Sequence, residues 1–286
     1  MLLLQLLVNG IVTGCALGVV AVSFALVYAT TRIFHIAHAG VYTLGGYLAW
    51  SLLAHGVPEP LALLGAMAGC TVLGAAIQHF LYAPLERRRA THLIVLIASL
   101  GALAVIQNLI AAVYSSDILE FTIPWASAVV TLGGLRLTGA QLATLALSLA
   151  AFVGMLWFAH RTLLGKRIRA VASNPFLAEI TRLEPRAVYV TVIAIASAVV
   201  CIPGVLVPLD LGLQPYGGVT PLLTATIAMI AGGVGSLGGA FLFAVVIVVL
   251  QNLSLLVMPG EWSIGVTFAI FVVFMLFRPR GLFAAG

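Results

Sequence analysis

The chain has 286 residues, of which 63% are hydrophobic and 7% charged, against about 25% charged in an ordinary globular domain. That balance excludes a water-soluble fold and leaves room for about eight to ten membrane crossings, since a helix across a hydrocarbon core about 30 Å thick takes about 20 apolar residues. A formal charge of +5 would point to nucleic acid in a soluble protein, but here the placement of the bases says more than their sum, and no nucleic-acid partner is read from it.

Apolar segments fall at 4–29, 40–55, 61–82, 93–114, 140–160, 187–208, 220–231, 240–257 and 263–277. Their lengths predict an all-α polytopic membrane protein with about eight or nine transmembrane segments, forming one domain over 1–286. The first is too long for a cleaved leader and has no basic stretch ahead of it, so it is expected to stay. The seventh is too short to span alone. Turn-forming residues separate the segments at Val57-Pro58-Glu59-Pro60, Ser115-Ser116-Asp117, Gly212 to Gly218 and Met258-Pro259-Gly260. Cys15, Cys70 and Cys201 lie inside apolar runs without paired or metal-type spacing, as small buried side chains do.

Lys and Arg flanking a membrane span are retained on the cytoplasmic side. Arg32, Arg87 to Arg89, the six bases between Arg161 and Arg186, and Arg278 with Arg280 fall in alternate loops, and Arg136 alone falls opposite. This predicts a multi-pass membrane protein with its N-terminus outside and its C-terminus in the cytoplasm. Glu59, Asp117, Glu120, Asp210 and Glu261 then lie outside.

The longest basic segment, 161–186, reads as a surface helix. Ile168, Val171, Ala172, Pro175, Phe176 and Ile180 recur at helical spacing, predicting a single apolar stripe for docking a partner or for resting on anionic membrane lipid.

Polar residues at membrane depth are costly unless paired or hydrated. His35 and His38, at i and i+3, share a helical face. With no Cys, Asp or Glu beside them they read as a hydrogen-bonded pair at a helix end, and no metal site is predicted. Among Gln78, His79, Gln107, Asn108, Gln251 and Asn252, the two asparagines are the first pathway candidates, because an amide donates and accepts without carrying charge into the bilayer. Interhelical hydrogen bonding, worth about 0.6 kcal/mol per contact, is the alternative role for each.

Gly233, Gly235 and Ser236 belong to a glycine-rich run, 232–240. The match of Gly233-x-Gly235-x-x-Gly238 to a dinucleotide fingerprint fails for want of a strand and a βαβ unit. Such glycines permit either a break lining a pathway or tight helix packing. The acids form no catalytic pair, and no nucleophile–base grouping is evident, so no enzymatic activity and no catalytic residue is assigned. Gly165-Lys166 lacks the spacing of a P-loop.

Several of these stretches fall in the order of one known family. Gly165, Arg169-Ala170, Asn174 and Ala178 resemble the coupling segment of branched-chain amino acid ABC transporter permeases. Arg32-Ile-Phe-His-Ile-Ala-His38 with Tyr42 and Leu44-Gly45 is similar to that family's Arg-x-x-Asn-Phe-Ala-His-Gly stretch, 232–240 to its glycine-rich segment, and Arg278-Pro-Arg-Gly-Leu-Phe283 to its C-terminal motif. His35 stands in place of the family's Asn, and Arg182 in place of a usual Gly, which predicts an altered turn at the end of the coupling segment because Arg resists positive φ.

The resemblance implies an ABC importer permease subunit of the bacterial inner membrane. Such a subunit forms half of a translocation path for branched-chain amino acids or related small polar solutes. It implies a second permease subunit, two ATP-binding cassette subunits that hold and hydrolyse ATP with Mg, an extracytoplasmic solute-binding protein, and no cofactor in this chain. Gly165, Arg167, Arg169, Ala170, Asn174, Ala178 and Glu179 would couple to the ATPase. His35, His38, Tyr42, Asn108, Gly233, Gly235, Ser236 and Asn252 are candidates for the solute pathway. An ion-coupled secondary carrier working through the histidines, or a membrane-embedded enzyme using them as bases, are the rival readings.

Overall fold

The computed structural model describes residues 1–278, 281 and 283, with nothing said of the Leu132 side chain. Pro279, Arg280 and Leu282 of the C-terminal motif lie outside the described residues.

Helix α1 (Leu2–Thr31) is the axis of the bundle and is almost wholly buried. Gly10, Gly14 and Gly18, spaced four apart, present one bare stripe to α13 (Leu237–Ser254). A methyl added to Gly10 or Gly14 would come within 2.9 Å of the Val249 or Val245 Cα, and one on Gly18 would strike the Phe241 ring. The two antiparallel backbones therefore touch, as small residues four apart allow between membrane helices. This four-residue spacing of glycines is plain in the sequence.

Around this axis stand α2 (His38–Ala54), α3 (Glu59–Ala76), α5 (His92–Tyr114), α7 (Gly139–Arg161), α10 (Pro185–Leu206), α12 (Val219–Gly232) and α14 (Ser263–Phe277). Helix α3 continues through a π-helical turn, Ile77–Tyr82, into α4 (Ala83–Arg87). Pro84 has no amide to give and crowds the carbonyl four residues back, so the turn before it widens. Among the described residues seven helices are long and apolar enough to cross a membrane. Helix α12, at 14 residues, is about 21 Å long and does not reach across the core on its own. The outer helices α5, α7 and α14 expose leucine, valine and phenylalanine outward, as a lipid-facing ring does.

The expectation of an all-helical chain needs one addition. Val129–Leu132 (β1) and Leu135–Thr138 (β2) form a hairpin closed by Gly133 and Gly134, both at positive φ. A Gly-Gly pair between β-branched and leucine-rich runs is a readable hairpin signal. A short helix, α6 (Pro124–Ser127), leads into it.

The segment 161–186 also departs from expectation. Instead of one surface helix it forms α8 (Leu163–Ser173) and α9 (Pro175–Ile180), broken at Asn174, whose extended backbone (φ −155°, ψ 102°) is what a following proline demands. Asn174 caps the second helix, accepting from the Leu177 N–H at 3.1 Å.

Candidate functional site

Helix α10 carries Pro203 and ends at Leu206. After one more turn, α11 (Pro208–Leu211), the chain turns at Gly212 (φ 78°). Residues 212–218 then run back against α2, where Gly218 meets the Ala39 carbonyl and Gly204 that of Tyr42 too closely for any larger residue. Between this loop and α1, α2, α12 and α13 lies a cavity of about 310 Å³. Thr13, Tyr42, Thr43, Gln214, Thr224 and Gln251 are among its polar lining, and none of its described lining residues is charged. Hydroxyls and amides both donate and accept, so the cavity suits a small solute of no net charge.

Of the pathway residues expected from sequence, Tyr42 lines this cavity. Asn252 sits beside it on α13 but turns the other way. Its amide donates to the Val248 carbonyl at 3.0 Å and its Cβ faces Gly10, while neighbouring Gln251 reaches the cavity and bonds Thr267. Asn108 is exposed on α5, donating to the Ala104 carbonyl and accepting from Tyr216 Oη at 3.4 Å. Gly233 (φ 107°), Gly235 (φ 94°) and Ser236 form the turn from α12 to α13. There Ser236 accepts from the Gly239 N–H at 3.1 Å, and the backbones of Gly232 and Gly239 touch. Phe283 donates its amide to the Gly232 carbonyl, and Gly281 lies close against Gly233.

His35 and His38 are fully buried where the chain leaves α1 and starts α2. His38 Nε2 lies 2.9 Å from Ser23 Oγ on α1. His35 Nδ1 lies 2.7 Å from the hydroxyl of Tyr82, on the π-helical turn, which in turn donates to Ser99 Oγ on α5 at 2.7 Å. Ser99 also accepts the Ala37 N–H at 3.0 Å. The histidines thus tie the start of α2 to three neighbouring elements. Helix α1 passes the cavity at Thr13 and Leu17, this polar node at Ser23, and a wide groove at Tyr28 and Thr31.

That groove, about 1550 Å³, opens at the arginine-rich end, with α9 as one wall and Arg32, Phe34, Glu86 and Arg186 among its lining. In α8, Gly165, Ile168 and Val171 face inward onto the bundle, Gly165 close against the end of α7, while Arg167, Arg169 and Ala170 are exposed. In α9, Ala178 faces inward, whereas Phe176, Leu177 and Ile180 stand 57–70% exposed beside Glu179. The predicted single stripe is thus two faces: α8 spends its apolar side on the bundle, and α9 presents its own outward. Arg182 keeps the left-handed turn (φ 63°) that the loss of glycine was expected to alter. Its N–H bonds the Glu179 carbonyl and the Leu183 N–H that of Ala178, both at 3.0 Å, the two bonds of a Schellman cap.

A helical bundle with a central buried helix, a neutral cavity and a cationic elbow defines a polytopic membrane permease. The family model described as "Branched-chain amino acid transport system / permease component" matches residues 6–275, and the chain belongs to that family. It is similar to the high-affinity branched-chain amino acid transport system permease protein BraD of Pseudomonas aeruginosa, 27% identical over 98% of this chain and 95% of the relative. It is also similar to LivH of Escherichia coli K12, named for the same kind of transport system, 24% identical over 98% and 94%. The fold resembles PsaBC from Streptococcus pneumoniae in complex with Fab, with a TM-score of 0.54 and 14% identity over 95% of this chain and 91% of that one.

Proposed function

We propose that this chain is the membrane subunit through which an ABC importer passes branched-chain amino acids or related small polar solutes, in a pathway completed by a second permease subunit. On this reading the elbow end is cytoplasmic, with the C-terminus, and the acidic end lies outside with the N-terminus, as the clustering of bases at the elbow supports. One transmembrane domain spans the chain, and 161–186 is its coupling segment. The assembly includes two ATP-binding subunits that hold ATP and Mg, and one of them docks on α9 and the adjoining groove of this chain. A solute-binding protein delivers to the acidic end, and the solute rests in the neutral cavity around Tyr42, Thr43 and Gln251.

The observation that carries this reading is α9: a short helix held by an Asn cap on one side and a Schellman turn on the other, with bulky apolar side chains turned out among exposed charges. A buried core leaves no such residues outward, and aromatic and aliphatic anchors of this kind are what a partner surface engages. Alternating access then follows if nucleotide-dependent closure of the partners binds inward-open and outward-open forms unequally.

The test is uptake of radiolabelled leucine into liposomes holding the permease pair and the ATPases, with the solute-binding protein outside. Uptake that needs ATP inside and stops when α9 is altered supports the reading. Uptake driven by an ion gradient without ATP refutes it.

A further inference from the structure

Helix α12 is too short to cross the bilayer unaided. At 14 residues it covers about 21 Å of a hydrocarbon core about 30 Å thick, and residues 212–218 make up the remainder. Leu213 lies against Gly46 and Gly218 against the Ala39 carbonyl, within α2 rather than beyond its outer end. Irregular backbone at that depth is tolerated where protein covers it or water reaches it, not against lipid. Yet Gln214, Tyr216 and Gly217 are exposed.

Helix α5 meets this loop with a face of the same character. Asn108 is exposed, accepts from Tyr216 Oη at 3.4 Å, and lies about 9 Å short of the outer end of α5 at Tyr114. Gly101, Ala104 and Ala112 are exposed on the same side at spacings of three or four, and the space before Gly101 is open. Amides and small residues are what membrane helices present to one another, and a polar side chain turned to lipid is costly. Among the described residues, the exposed positions of α7 from Leu142 to Trp157 and of α14 from Ile264 to Phe277 carry no polar side chain. Gln214, Gly217 and Thr220 are exposed and also line the cavity of about 310 Å³, so the cavity opens on the α5 side, beside Tyr216. A water-soluble partner does not reach into the hydrocarbon core, and lipid does not satisfy the backbone of the loop, which leaves a membrane-spanning chain as the cover.

We propose that the face formed by α5 from Gly101 to Ala112, Tyr216 and the start of α12 is where the second permease subunit packs, with the solute path running between the two chains past Gln214. This rests on the proposed pairing of two permeases and adds the surface that makes the pair.

Gly101→Leu tests it, with Gly154→Leu on α7 as its counterpart, since both glycines are exposed and an added Cβ meets nothing within 4 Å at either. Neither variant should lower the thermal stability of the isolated subunit. Gly101→Leu is expected to cut the second permease recovered with the affinity-tagged chain at least about tenfold, by overpacking the joint, and Gly154→Leu to leave it unchanged. A benzophenone maleimide on Ala112→Cys or Val153→Cys gives a second reading, the native Cys15, Cys70 and Cys201 being buried. On irradiation in the assembled transporter the probe at 112 should crosslink to the second permease and the probe at 153 to lipid. Pairing that survives Gly101→Leu, or that is lost in Gly154→Leu instead, overturns the proposal, as does a probe at 112 that reaches only lipid. If ATP-driven uptake persists alongside such a result, the proposed function stands and the surface alone is wrong. A chain that recovers no second permease and carries solute on an ion gradient overturns both.

Discussion

The two ends of the bundle are finished in opposite ways. At the acidic end, segments far apart in sequence are tied to one another. Trp125 Nε1 donates to Glu59 at 2.7 Å, Trp50 Nε1 to the Glu120 carbonyl at 3.1 Å, and Thr138 Oγ1 to Asp210 at 2.9 Å. Gln5 both gives to and takes from the Arg136 backbone, and Leu119 and Leu213 exchange two backbone bonds across their loops. Most of the positive-φ turns here fall on glycines, Gly56, Gly133, Gly134 and Gly212, with Ser115 (φ 70°) the exception. At the cationic end Gly233, Gly235 and Gly281 share the positive-φ turns with Arg32, Arg89 and Arg182, and Arg32 and Arg182 border an open groove of about 1550 Å³. One end satisfies its polar groups within the chain. The other keeps charge and apolar surface outward and accepts backbone strain to do so, which is how a surface meant for a partner differs from one that closes on itself.

The largest effect that would break this contrast belongs to α9. Replacing both Phe176 and Leu177 by Asp should cut ATP-driven uptake at least about tenfold, equivalent to about 1.4 kcal/mol of lost docking. Thermal stability of the isolated subunit should stay unchanged, because both side chains are exposed. An equal fall in stability would show that α9 supports the bundle rather than a partner. At the acidic end the opposite pattern is expected. Gly212→Val places a branched side chain at φ 78° and against Ile118, 2.5 Å from where its Cβ would lie, and should lower stability by about 2 kcal/mol. ATPase binding measured on the fraction that remains folded should not change.

A smaller loss at that end sharpens the comparison. Trp125→Phe removes the donor to Glu59 while keeping the ring, and should cost about 1 kcal/mol, since the bond is charge-assisted but exposed. Calorimetry of the protein in detergent reads it, and the loss should shrink to near zero in a Glu59→Ala background, which has no acceptor, if the partnership is the cause.

How legible these regions were differs for physical reasons. Spans such as His92–Tyr114 and Ser263–Phe277 stand out because long apolar runs have no other stable place. Arg32, Arg182 and Arg186 were read to one side, and they line the same groove. The cavity was not legible, because Thr13, Thr43, Gln214 and Gln251 come from separate elements and meet only through the return of 212–218 toward α2, a stretch that composition marks merely as a turn. Periodicity counted Ile168 through Ile180 as one stripe, since it does not register that Asn174-Pro175 resets the helical phase. The buried histidine pair is readable as hydrogen-bonded, but its partners Ser23 and Tyr82 lie 15 and 47 residues away, beyond any local pattern.

The smallest expected effect has the opposite sign. A non-glycine residue in the left-handed region costs about 1–2 kcal/mol, and glycine loses about 0.5–1 kcal/mol more backbone entropy on folding. Arg182→Gly should therefore stabilise the isolated subunit by a net of about 0.5 kcal/mol, whereas Arg182→Ala keeps the strain and should gain nothing. If arginine is retained at this turn for its charge on the groove, both variants should weaken ATPase association by the same factor, and Arg182→Lys should restore part of it. Stability that rises equally in the alanine variant would mean that the side chain, not the backbone, is the source of strain. Association unchanged in both would leave the arginine turns without a role in docking, and the contrast between the two ends would then rest on α9 alone.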